Sequence, residues 1–136
     1  MITMDMRRII CAKELQARAD DAMMVVREAL TPKLHDQSRI DEISRLFSEY
    51  IRENAGKFTE KKRALLFVMV YLYCPAVLLG ESMPRGFRDR LKDLLGVGSP
   101  SAVSNYTTDL LFFYNHYKDF RKVVEDAYAY IMARMS

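Results

Sequence analysis

Tryptophan is absent from this 136-residue chain, and glycine, proline, cysteine and histidine number only 5, 4, 2 and 2. So few turn-forming residues exclude a many-stranded sandwich or barrel, which reverses direction every few residues. Cys11 and Cys74 stand alone, with no CxxC and no histidine at metal-ligand spacing, so neither a disulfide framework nor a zinc site is expected. Both are read as reduced, largely buried thiols. His35 and His116 are isolated as well. No nucleophile-base-orienter set, carboxylate pair, phosphate loop or dinucleotide fingerprint can be found, so the expectation is a protein without cofactor or catalysis. The longest apolar run, Ala64 to Cys74, has 11 residues, short of the roughly 20 that cross a bilayer. The opening "MITMDMRRIICAKE" has no apolar stretch of signal-peptide length, which predicts a cytoplasmic protein.

What the chain does have is apolar residues, half of the total, arranged with helical period. Cys11, Leu15, Ala19, Ala22, Met23, Val26 and Leu30 describe one long amphipathic helix, interrupted at Pro32. Ile40, Ile43, Leu46, Phe47, Tyr50 and Ile51 form the stripe of a second helix, capped by Asp36 or Ser38 and ended at Gly56. Thr59 can cap a third, apolar on all sides after Arg63 and therefore central. A short helix is expected from Arg85 to Leu95, another from Pro100 to about Asn115, and a last one capped by Asp119 and carrying Phe120, Val123, Val124, Ala127 and Ile131. The methionines, Met23 and Met24 among them, are read as core filler.

The stretch "LLGVGSPSAVSNY", from Leu94 to Tyr106, has the residues of a sharp helix-to-helix corner. Gly96 supplies a permissive backbone just past one helix, Ser99 caps the next, and Pro100 occupies its first turn, where a missing N–H costs nothing. Val97 can plug the corner, and Val103 and Tyr106 face inward.

These residues resemble the helix-turn-helix core of many bacterial DNA-binding regulators, over about Arg85 to Tyr114, with helix 60–74 as the supporting first helix. The resemblance implies that Gly96 is the turn glycine, Val97 the corner residue and Val103 the inward residue. Ser101, Ser104, Asn105 and Thr108 would then be the groove-facing positions. Gly98 lengthens the turn by one residue, and Lys92 stands where the family has a small residue. Asn105 is the expected base reader, because its amide can bond adenine N6 and N7 together.

Charge is uneven along the chain. Residues 57–122 hold 11 Lys and Arg against 6 Asp and Glu, whereas residues 1–56 hold 9 against 10. Lys61, Lys62, Arg85, Arg88, Lys92 and Ser99 are the expected phosphate contacts. The sequence therefore predicts an all-α fold of five to six helices in a single domain. It comprises an amphipathic part over 1–56, a three-helix helix-turn-helix core over about 58–115 and a closing helix without a wing. The expected partners are double-stranded DNA and a second copy of the chain, paired through residues 1–56. A helical protein-protein interaction module is the alternative.

Overall fold

A computed structural model describes residues 4–135, and the fold is all-α, with no strand among the described residues. The chain divides at the Thr31–Pro32 junction into a first unit ending at Thr31 and a second beginning at Pro32.

The first unit is one helix, α1 (Met4–Leu30). Ala12, Ala17, Ala19, Ala22 and Ala29 give it high intrinsic helix propensity. It stops where the sequence says it must: the Thr31 hydroxyl donates to the Arg27 carbonyl at 2.7 Å, and Pro32 cannot continue the ladder. Every side chain from Arg8 to Ala29 is exposed. Cys11 is accordingly exposed, not buried, and Met23 and Met24 are 52% and 62% exposed, so they are not core filler.

The second unit is built around α3 (Lys61–Tyr73), which packs against α2 (Ile40–Asn54) and α7 (Lys118–Arg134). Asp36 opens this unit. Its carboxylate accepts from the Ser38 N–H at 2.9 Å and the Ser38 hydroxyl at 2.6 Å, capping a tight 3-10 turn that runs into α2. All six residues of the expected α2 stripe are buried. The apolar run from Ala64 is helical, with Leu66, Met69, Val70 and Leu72 wholly enclosed. A fully buried side chain of this size contributes about 1.5–3 kcal/mol, so α3 supplies much of the driving force for the second unit. The entry loop is tied to it by Lys33 and Leu34 N–H groups donating to the Leu72 carbonyl at 2.9 and 3.0 Å. The Tyr73 hydroxyl also donates to the Asp36 carbonyl at 2.7 Å.

Two expected caps are not used. The α3 helix begins one residue past Glu60 without a side-chain cap, because the Glu60 carboxylate accepts from Arg63 at 2.8 Å while Thr59 lies outside the helix. Asp119 lies inside the first turn of α7, behind Tyr117 at the cap position. There its charge still suits the positive end of the helix.

Between α3 and α7 come a 3-10 turn (Pro75–Leu79), α4 (Arg85–Leu95), α5 (Pro100–Thr107) and α6 (Leu110–His116). The helix expected over 100–115 is thus two helices. Thr107 and Thr108 hydroxyls donate to the carbonyls three residues back, Ser104 at 2.6 Å and Asn105 at 2.8 Å, which competes with the helical ladder. Asp109 is drawn aside into a pair with Arg63. Aromatic residues after the break serve packing: Phe113 lies 5.5 Å from Phe120, and Phe67 stacks on Tyr114 at 5.2 Å.

Candidate nucleic-acid interface

The corner between α4 and α5 is fixed from both sides. At the end of α4, Gly96 adopts φ 66° and ψ 31°, the left-handed conformation that only glycine enters without cost. The Gly96 N–H then donates to the Asp93 carbonyl and the Val97 N–H to the Lys92 carbonyl, each at 3.3 Å. This double closure satisfies carbonyls that a helix end otherwise leaves open. Val97 packs half-buried against the core. At the start of α5, the extended Ser99 accepts from the Ala102 N–H at 3.3 Å, and Pro100 occupies the first turn. Val103, wholly buried, anchors the helix, which packs on both α4 and α3.

With Val103 turned inward, helical geometry places Ser101 and Asn105 on the opposite side and Ser104 on the flank. Ser101 and Asn105 are exposed and Ser104 is half-buried. The helix contains no charged residue. Thr108 is exposed but stands at the C-cap of α5, not within a continuing helix, and its hydroxyl proton is committed to the Asn105 carbonyl. Only its acceptor lone pairs are left for another group.

Arg63 connects this helix to α3. Its guanidinium meets Asp109 through Nε and Nη2, both at 3.3 Å, and lies 4.8 Å from the Tyr106 ring and 4.6 Å from the Phe113 ring. Burial disfavours its charge, but the hydrogen bonds to Glu60 and Asp109 outweigh that effect and hold its pKa above the ordinary value. Arg63 and Asn105 line the same shallow pocket with Ala102 and Tyr106. The partner of Arg63 lies 46 residues away and is invisible to any local pattern.

The expected phosphate contacts separate into groups. Lys61 and Lys62, both exposed, line a groove of about 430 Å³ with Arg52, Gly56 and the end of α4 at Leu94 and Leu95. Arg52 completes this basic set and was missed, because it falls in a segment whose charges balance. Arg85, Arg88 and Lys92 share one flank of α4, three and four residues apart. Arg85 is exposed there, whereas Arg88 and Lys92 are half-buried. Arg88 is therefore not the free surface cation expected, and its Nε is buried without a hydrogen-bond partner among the described residues. Arg90 is paired with Asp41 at 3.2 Å. Ser99 is occupied as the helix cap.

Neither a family model, a curated protein nor a solved structure matches the chain. No helix among the described residues is long and apolar enough to cross a membrane.

Proposed function

We propose that this protein binds duplex DNA with sequence preference, in a regulatory or architectural role in the cytoplasm. The observation that carries the reading is one juxtaposition. The uncharged polar face of α5 is held by a corner capped on both sides, and α3, on which α5 packs, begins with Lys61 and Lys62. A short helix with a neutral, hydrogen-bonding face can read base edges in the major groove while neighbouring cations grip phosphates. In this reading Asn105 reads a base, with Ser101 and Ser104 beside it, and Lys61, Lys62, Arg52 and Arg85 hold the backbone. A second copy of the chain supplies the second half-site, as single modules of this size make few base contacts.

The test is fluorescence anisotropy on mixed genomic duplexes at two salt concentrations. Affinity should fall steeply with salt, and Lys61→Ala with Lys62→Ala should flatten that dependence for all sequences alike. Asn105→Ala should relax preference at one base position by about 1–3 kcal/mol while changing overall affinity less. Binding that does not respond to salt, or is not measurable at low salt, sinks the proposal and leaves a helical interaction module.

A further inference from the structure

Three helices of the second unit each give one pair of residues, a turn apart, to a single cleft. The pairs are Phe67 and Tyr71 of α3, Leu111 and Tyr114 of α6, and Val124 and Tyr128 of α7. The cleft holds about 320 Å³, at the lower end of the roughly 300–1,000 Å³ that small-molecule sites occupy. Its walls are held by contacts with one another. The Tyr71 and Tyr128 rings meet edge to face at 5.3 Å, and Phe67 stacks on Tyr114 at 5.2 Å. Native packing leaves few spaces wider than a water molecule, so a cleft of this size among aromatic side chains is not ordinary core. Glu125 is the one charged residue that lines it. Its side chain is exposed and forms no ion pair among the described residues, and its Oε1 accepts from the Tyr114 hydroxyl at 2.6 Å, which leaves Oε2 uncommitted. The Tyr71 and Tyr128 hydroxyls likewise have no hydrogen-bond partner among the described residues.

We propose that this cleft binds a small arylalkylamine, with its ring between the apolar walls and its ammonium group on Glu125 and the two uncommitted tyrosine hydroxyls. The lining selects the charge. An ammonium gains a carboxylate that has no cation of its own, whereas an anionic ligand would meet Glu125 as a like charge. Two cations do stand near the walls: Lys33 Nζ lies 3.9 Å from the centroid of the Tyr71 ring and the Arg121 guanidinium 4.9 Å from that of Tyr114. Neither lines the cleft, and Arg121 is committed to the carbonyls of Tyr114 and Asn115. The walls select the body of the ligand. A flat ring packs against aromatic side chains in the offset and edge-on arrangements that they already make with each other. The cleft shares no residue with the face of α5, and the proposal does not rest on the DNA reading.

The probe is phenethylamine, titrated into the whole isotope-labelled chain at pH 7 without DNA and followed by amide chemical shifts and calorimetry. Phenethyl alcohol, of the same shape but neutral, and phenylpropionate, of similar size but opposite charge, are titrated beside it. The amine should bind with shifts centred on α3, α6 and α7, the alcohol more weakly, and the anion not measurably. Glu125→Gln changes an exposed side chain whose amide oxygen can still accept from Tyr114, so the fold should survive. It should weaken the amine by about fivefold, the scale of a solvent-exposed ion pair, and leave the alcohol unchanged. No measurable binding of the amine, or shifts centred on other helices, overturns the proposal. Equal affinity for the three probes also overturns it, because the cleft would then take any apolar body. Amine affinity that is unchanged in Glu125→Gln does the same for the assigned charge contact.

Discussion

Helix α2 buries all six residues of its apolar stripe, whereas α1, with 27 residues against 15, exposes its own. Both stripes follow helical spacing, so spacing alone does not decide what is covered. The difference is in the other residues. In α2, Asp41, Glu42, Arg45, Glu49, Arg52 and Glu53 leave only one face apolar, and that face meets α7 and α3. In α1, Ile10, Met24 and Val25 put apolar groups on the charged side too, so no single face matches a core. A sharply divided helix is specified by its own fold, whereas a diffusely apolar one is suited to a contact outside it.

The largest effect that would break this contrast comes from paired truncations. Ile43→Ala, at a wholly enclosed position, should cost about 2–5 kcal/mol in urea unfolding, because a cavity forms in a core that cannot collapse around it. Leu15→Ala in α1 should change the transition by about 0.5 kcal/mol or less at high dilution, as exposed positions do. A loss of Ile43 scale at Leu15 in dilute solution would mean that α1 belongs to the same cooperative unit, and the contrast would fail.

What was legible in the sequence follows the same division. The α2 stripe, the limits of α4 and the Ser99 cap could be read because their causes lie within four residues of one another: period, Gly96, and a serine before a proline. The break after Thr107 was legible only in part, because the Thr107 and Thr108 back-bonds are local whereas Asp109 is held by Arg63, 46 residues earlier. Arg88 looked like a surface cation by its helical position, yet it is half-buried and its Nε is enclosed. The outward face of α5 was legible as a pattern, whereas the one guanidinium shown beside it, Arg63 over the Tyr106 ring, comes from α3 and follows from no local pattern.

A second effect, smaller than the core truncation, sharpens the contrast between local and distant causes. Arg63→Ala removes bonds to Glu60 and Asp109 and leaves two acids without their cation beside Tyr106 and Phe113. Because Arg63 is only partly enclosed, a loss of about 1–2 kcal/mol is expected. Hydrogen exchange should rise first at the α5–α6 break. Exchange that rises instead evenly along the chain would show that Arg63 supports the whole unit and not this junction.

Gly96→Ala comes next. Nothing lies within 4 Å of a Cβ built there, so the cost is the φ of 66° alone, about 1 kcal/mol. The Gly98→Ala change two residues on also meets open space, but at an ordinary φ, and should be nearly neutral. Equal melting temperatures for the two variants would show that the left-handed corner is not what ends α4.

The smallest effect separates the two thiols, one in each unit. Cys74 is half-buried behind α3, and burial pushes its thiol up from 9.0 to about 11, while Cys11 is exposed on α1. The thiolate is the reacting form, so at pH 8 a thiol reagent should modify Cys11 within the mixing phase of dilute protein and Cys74 far more slowly. The neutral Cys74 thiol is favoured by the fold, so its contribution to stability is fully present below pH 9 and is lost as pH rises through about 11. Tyr73, raised mainly by burial, and Tyr114, raised mainly by its hydrogen bond to Glu125, act in the same direction above pH 10. Urea midpoints measured at rising pH should therefore hold level to pH 9 and then decline. Replacing Cys74 with alanine should lessen the decline between pH 9 and 11, most clearly below pH 10, where Tyr73 and Tyr114 do not yet act. A decline that persists there unchanged would assign it to other groups, and equal labelling of both thiols would place Cys74 as open to solvent as Cys11.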